Sequence, residues 1–193
     1  MLARSLAAAS AAAVVVGAGA RADIVNGDFS AGNTGFTSEY DYRVVSTPPH
    51  FGQYGVTTTS FAWTQFWHTL PGDHTTGTGQ FLIADVGPDL SADIWSQTVA
   101  VAPGEHSTLT AWLANWTSFA GAALNVYVND SLVTTWGPQH SATWTQFSAS
   151  WDNGPGTSAI VSLRAASYFQ PGADIAIDDI HLVPAPAAAG LLG

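Results

Sequence analysis

The sequence predicts an all-β protein, an antiparallel β-sandwich, and three observations carry the prediction. Between Asp23 and Val183, short runs alternate apolar and polar residues at period two, and no helical periodicity of useful length occurs. Clusters of Gly, Pro, Asn and Asp separate the runs, as they do in sandwiches and barrels. The span of roughly 160 residues suits a single domain.

Each element follows from its own pattern. A glycine-punctuated loop, Gly72-Asp73-His74-Thr75-Thr76-Gly77-Thr78-Gly79, precedes a strand over Phe81 to Val86. Asp and Thr side chains in such a loop hydrogen-bond their own turn, with ligand contact by Asp73 and His74 as the alternative. Asp93 to Val101 puts Ile94, Ser96, Thr98 and Ala100 on one face and Trp95, Gln97, Val99 and Val101 on the other. Thr108 to Asn115 aims Leu109, Ala111 and Leu113 one way and Trp112 the other, the side that Ala114 and Trp116 continue. Both faces are apolar there, so one is covered by a loop or a ligand. Leu124, Val126 and Val128 alternate with Asn125 and Tyr127, Asn129-Asp130-Ser131 turns the chain, and Leu132 to Trp136 returns. Trp144 to Trp151 sets Thr145, Phe147, Ala149 and Trp151 against polar Gln146, Ser148 and Ser150. In the last strand the phase changes: Ile175 and Ile177 are odd-numbered, Ile180 and Leu182 even-numbered. A β-bulge at Asp178-Asp179 brings both pairs to one core; otherwise one pair faces solvent or a loop.

The composition excludes several functions. The 193 residues carry 14 acidic groups against four Arg (Arg4, Arg21, Arg43, Arg164), and Lys is absent. Nucleic acid and anionic lipid are therefore poor partners, because binding them needs clustered cations. No cysteine means no disulfide, no thiol nucleophile and no Cys-ligated zinc. Six scattered histidines form no His-Glu-x-x-His pair, and no G-x-S-x-G elbow occurs.

The two ends read as addresses. Residues 1–22 combine Arg4, an apolar Leu6 to Val16 stretch and an Ala20-Arg21-Ala22 cleavage site, the pattern of a secretory signal peptide. Its apolar run is too short to be a stable membrane span. Cleavage removes two Arg and no acid, so residues 23 onward carry 14 acidic groups against 2 Arg, a net charge of −12. At the other end Pro184 and Pro186 close the 23–183 module. The segment 184–193 then resembles the start of a PEP-CTERM sorting signal of Gram-negative bacteria, with Ala185 where that signal has Glu. The resemblance implies export sorting machinery as a partner; an ordinary Ala/Pro tail is the alternative.

A wider resemblance rests on six motifs in order: Ile24-Val25-Asn26-Gly27-Asp28-Phe29, Gly35-Phe36, Trp95-Ser96-Gln97-Thr98-Val99, Leu109-Thr110-Ala111-Trp112-Leu113, Trp144-Thr145-Gln146-Phe147 and Ile177-Asp178-Asp179-Ile180. Together they resemble the galactose-binding-like jelly-roll modules typified by family 4/9 carbohydrate-binding modules, especially those of PEP-CTERM proteins. The resemblance covers nearly the whole chain after the leader. It implies a jelly roll and a structural Ca2+ tying the first strand to the last, with Asn26, Asp28, Asp178 and Asp179 as its ligands. Calcium takes six to eight oxygens, and this chain has Ser30 where the family pattern has an acid. An ordinary bulge with solvated acids is the alternative.

Sugars stack on aromatic faces, and Phe61-Ala62-Trp63-Thr64-Gln65-Phe66-Trp67-His68 places four aromatics in eight residues. Trp63, Trp67 and Trp116 are the candidate carbohydrate-binding residues; the alternative is that the 58–71 segment folds over the sandwich and buries them. The resulting expectation is a secreted, non-catalytic module of the cell surface or extracellular matrix that binds extracellular polysaccharide. A purely structural matrix protein is the first alternative. A jelly-roll polysaccharide lyase or glycosidase is the second, disfavoured because only Arg43 and Arg164 remain to neutralise a uronate.

Overall fold

The computed structural model describes residues 24–48, 50–65, 72–115, 122–137, 142–167 and 174–184. Ten strands and one short helix follow one another: β1 (Asp41–Tyr42), β2 (Gln53–Thr57), α1 (Ser60–Trp63), β3 (Phe81–Asp85), β4 (Asp93–Ala100), β5 (His106–Ala114), β6 (Leu124–Val128), β7 (Ser131–Trp136), β8 (Thr145–Asp152), β9 (Ser158–Ala165) and β10 (Asp174–Pro184). They form a six-stranded sheet, β1-β2-β3-β10-β5-β8, and a four-stranded sheet, β4-β9-β6-β7. All pairings are antiparallel except that of the two-residue β1 with β2. The expected β-sandwich is the observed one. The expected leader 1–22 and the residues beyond Pro184 lie outside the described residues, as do Trp67 and Trp116.

The two inner faces meet in one core. Leu109, Ala111 and Leu113 of β5 pack with Leu124 and Val126 of β6, Val161 and Leu163 of β9 and Trp95 of β4. Each such side chain contributes about 1.5–3 kcal/mol on burial, the main support of a chain with no disulfide. Trp136 Nε1 donates to the Ser148 carbonyl at 2.9 Å, joining the edge strand of one sheet to that of the other. The Asn129-Asp130 turn has both residues at positive φ (50° and 60°), the backbone a tight hairpin requires.

The bulge in β10 forms where the phase change requires it. The register against β5 shifts between Asp178 and His181, and Asp179 adopts φ 48°. Ile175, Ile177, Ile180 and Leu182 consequently all enter the core. A second irregularity, between Asp93 and Trp95 of β4, corrects the sequence reading: it turns Ile94 inward beside Trp95, although strict alternation places them on opposite faces. The β2 and β9 strands and helix α1 were not expected from the pattern.

The outer face of the six-stranded sheet is apolar as well. Phe81 and Ile83 of β3, Ala114 of β5 and Ala176 of β10 form a second cluster with Trp63. Helix α1 and residues 72–79 cover this face, so the apolar surface around Trp112 is closed by a loop.

Candidate functional site

Trp63 is fully buried, which corrects its assignment to a sugar-stacking role. Its indole lies over β2, where a Cβ on Gly55 would sit 2.4 Å from Trp63 Nε1, so the glycine makes room for the ring. The Nε1 donates to the Arg43 carbonyl at 2.8 Å. Beside it, the His74 ring stacks on Trp112 with centroids 3.6 Å apart and planes at 15°, and Trp144 meets His74 edge-on at 6.4 Å. Of the eight tryptophans, the six described ones are all buried or half-buried.

The bulge acids hold this covering loop down. Asp178 Oδ2 accepts from the His74 N–H at 2.7 Å and Oδ1 from the Asp179 N–H at 2.8 Å. Asp179 Oδ2 lies 2.6 Å from His74 Nδ1, and its Oδ1 accepts from the Thr75 hydroxyl at 2.6 Å. Burial pushes the Asp178 carboxyl up to about 7 despite those hydrogen bonds. Asp73 closes the loop on itself through Thr76 and the Gly79 N–H; burial would raise its pKa, but these hydrogen bonds outweigh it and hold the carboxyl below its ordinary value.

This arrangement does not fit the expected calcium cage. All four carboxylate oxygens of Asp178 and Asp179 already take protein hydrogen bonds. Asn26 Oδ1 accepts from the Ala31 N–H at 2.9 Å while its amide group donates to the Gly32 and Thr34 carbonyls, and Asp28 Oδ1 caps its own turn through Ser30. Among the described residues no three His, Asp or Glu side chains converge on a metal position. The opening segment does reach the last strand, but through the Ile180 N–H donating to the Gly27 carbonyl at 2.9 Å.

Asp85 and Asp174 face each other across β3 and β10, each 5% exposed. Burial raises both pKa values, and the pair shares a hydrogen bond, so one carboxyl retains a proton well above the ordinary range. Carboxyls in hydrogen-bond contact stand closer than the ~5 Å minimum that flanks a glycosidic bond.

An open groove of about 970 Å³ lies on the opposite side of the sandwich, along β4. Its floor is the outer face of the four-stranded sheet: Ser96 and Thr98 of β4, with Ile160, Ser162 and Arg164 of β9. Residues 35–39 wall one side, pinned by the antiparallel Thr37–Ser96 bridge and by Gln97, whose amide donates to the Val25 and Gly35 carbonyls. Asp89 and Asp93 wall another side, and Asp130 lines the groove from the β6–β7 turn. Arg164 organises the floor: Nε donates to Asp93 at 2.5 Å, an Nη to Asp130 at 2.7 Å, and the guanidinium sits 4.5 Å above the Tyr127 ring. Burial works against its charge, but Asp93 and Asp130 outweigh it and raise the pKa. Asp93 also accepts from the Ser162 hydroxyl, which contacts that of Ser96 at 3.1 Å.

Sequence reasoning missed this groove. Its signal was the alternation in β9 of the core residues Val161 and Leu163 with Ile160, Ser162 and Arg164, which the core cluster does not include. Another cavity, about 170 Å³ beside Trp151 and Asn153, is smaller than ordinary ligand sites.

No family model matches the chain, and no curated protein matches it by sequence. Solved structures do. The CBM22-1 xylan-binding domain of Paenibacillus barcinonensis Xyn10C aligns at 15% identity and TM-score 0.56, over 89% of this chain and 99% of that one. TmCBM61, solved with β-1,4-galactotriose, aligns at 14% identity and TM-score 0.51, over 82% and 95%. A family 16 carbohydrate-binding module aligns at 18% and 0.50, over 83% and 98%. The chain spans 66% of the EclA C-terminal domain and 49% of the tandem CBM22 structure from the same Xyn10C. At these identities the likeness is one of fold, a carbohydrate-binding-module-like jelly roll.

Proposed function

We propose that the chain is a non-catalytic carbohydrate-binding β-sandwich whose ligand lies in the groove on the four-stranded sheet. One observation carries the reading: this fold presents an open groove of about 970 Å³ lined by hydroxyls, carboxylates and a fixed guanidinium. Such groups match the hydroxyls of a glycan chain, and the groove is open enough for a polymer to pass through. The similar structures named for carbohydrate binding support the same reading by fold. Export by the 1–22 leader, sorting through the PEP-CTERM-like segment 184–193 and a place at the cell surface or in the matrix complete the proposal. No helix among the described residues is long and apolar enough to cross a membrane.

Affinity electrophoresis of the full chain through gels containing soluble polysaccharides tests it. Retardation by at least one glycan is expected, together with its loss in Thr98→Trp, which fills the floor from an exposed position without entering the core. Retardation unchanged in that variant would remove the groove from the reading. The structural-matrix alternative is favoured by a specific observation: among the described residues every tryptophan is buried or half-buried. It gains if no glycan retards the protein.

A further inference from the structure

The charges of the groove carry the reading one step further. Four carboxylates line it, Glu39, Asp89, Asp93 and Asp130, against a single cation, Arg164. That cation is already balanced by two of them, Asp93 and Asp130. Arg43, the other arginine outside the leader, pairs with Asp41. The chain has no lysine to supply a further counter-charge.

The carboxylates are also held in place by the protein. Asp93 uses both oxygens, on Arg164 and on Ser162. Glu39 Oε2 accepts from the Asp93 N–H at 2.7 Å, Asp89 Oδ1 from Ser91, and Asp130 Oδ1 from Arg164. Each of these last three thereby has its position fixed through one oxygen. What faces a ligand is an array of anchored hydrogen-bond acceptors and the exposed hydroxyl residues Thr37, Ser91 and Thr98, with a surplus of negative charge.

Resting on the carbohydrate reading, we infer that the groove selects uncharged glycans and rejects polyuronates and sulfated chains. A neutral sugar satisfies anchored acceptors with its own hydroxyl donors and brings no charge that needs a partner. An anionic sugar finds no unbalanced cation and meets like charge at each wall, which opposes binding without any steric clash. The same discrimination is reinforced by the chain's net charge of −10, because acidic polymers are repelled before contact.

The test uses the full chain in affinity gels containing β-glucan, xylan or β-galactan as neutral ligands and alginate or polygalacturonate as acidic ones. Neutral retardation should change by less than about twofold between about 20 mM and about 300 mM salt, because no ion pair is being screened. Acidic chains should retard the protein at least about tenfold more weakly, the difference being largest at low salt. Asp89→Arg, which takes the groove from four carboxylates against one cation to three against two, should gain polyuronate retardation over the wild type at low salt. Wild-type retardation by alginate or polygalacturonate as strong as by the neutral chains overturns the selectivity and leaves the carbohydrate reading standing. An Asp89→Arg variant that folds, as judged by its melting transition, yet still ignores polyuronate also overturns it. Retardation by no glycan at all overturns the carbohydrate reading and this inference with it.

Discussion

Trp63 shows how one side chain acquires its role from its surroundings. In a run of four aromatics it has the composition of a sugar platform, yet Gly55 leaves a hollow over β2 that the indole fills, and the Arg43 carbonyl takes its N–H. A fully buried tryptophan with a satisfied donor is a packing residue. Trp63→Ala should therefore lower unfolding free energy by about 3–5 kcal/mol, measured by urea denaturation. A variant of unchanged stability that no longer binds glycan would return Trp63 to the binding role. Local pattern could not separate these outcomes, because exposure depends on a glycine in a different element. Arg164 is the converse case: its sequence neighbours are unremarkable, and only the pairing of β9 with β4 and the arrival of the β6–β7 turn bring Asp93 and Asp130 to it.

At the scale of elements, the β10 bulge links three parts of the molecule. It aligns the strand's two apolar pairs with the core, offers the Ile180 N–H to Gly27, and turns two carboxylates toward residues 74 and 75. A Cβ on Gly27 would stand 2.0 Å from the Ile180 carbonyl oxygen, so the close approach requires glycine there. The period-two pattern made the bulge legible, since no undistorted strand satisfies both parities. The partners of its acids were not legible: the motif alone is equally compatible with a cation and with a loop. The hydrogen bonds observed favour the loop. Asp179→Asn, which keeps a residue type tolerant of φ 48° but weakens the bonds to His74 and Thr75, should cost about 1–2 kcal/mol. Excess EDTA should leave the wild-type melting midpoint unchanged; a chelator-induced fall would make this a cation site, since a ligand bound to the native state alone stabilises it.

For the whole molecule, the buried acids set a pH dependence. A carboxyl whose folded-state pKa exceeds its unfolded value stabilises the fold fully below the unfolded value, and that contribution is lost as pH rises through the folded one. Asp85, Asp174 and Asp178 all lie in this class, with Asp178 losing its contribution between about 4 and about 7. Asp73, with a lowered pKa, acts in the opposite sense and loses its contribution on acidification. Thermal melts should therefore show a lower midpoint at about pH 8 than at about pH 5. Asp174→Asn, isosteric and uncharged, should raise the midpoint at the higher pH and narrow the difference; a wild type more stable at the higher pH would contradict the assignment.

The sequence by itself determined the all-β class, most strands, the hairpin turn and the bulge, because alternation and turn residues are local and each strand carries its own inner face. It also determined the shortage of cations on which the neutral-glycan inference rests, a property of composition. Only the tertiary structure decided which apolar face is covered, which acids share a proton and where an open groove remains. Those depend on which strands become neighbours and which loops cross them: Asp85 meets Asp174 across a β3–β10 pairing, and His74 meets Trp112 over a sheet face, through contacts between residues far apart in the chain.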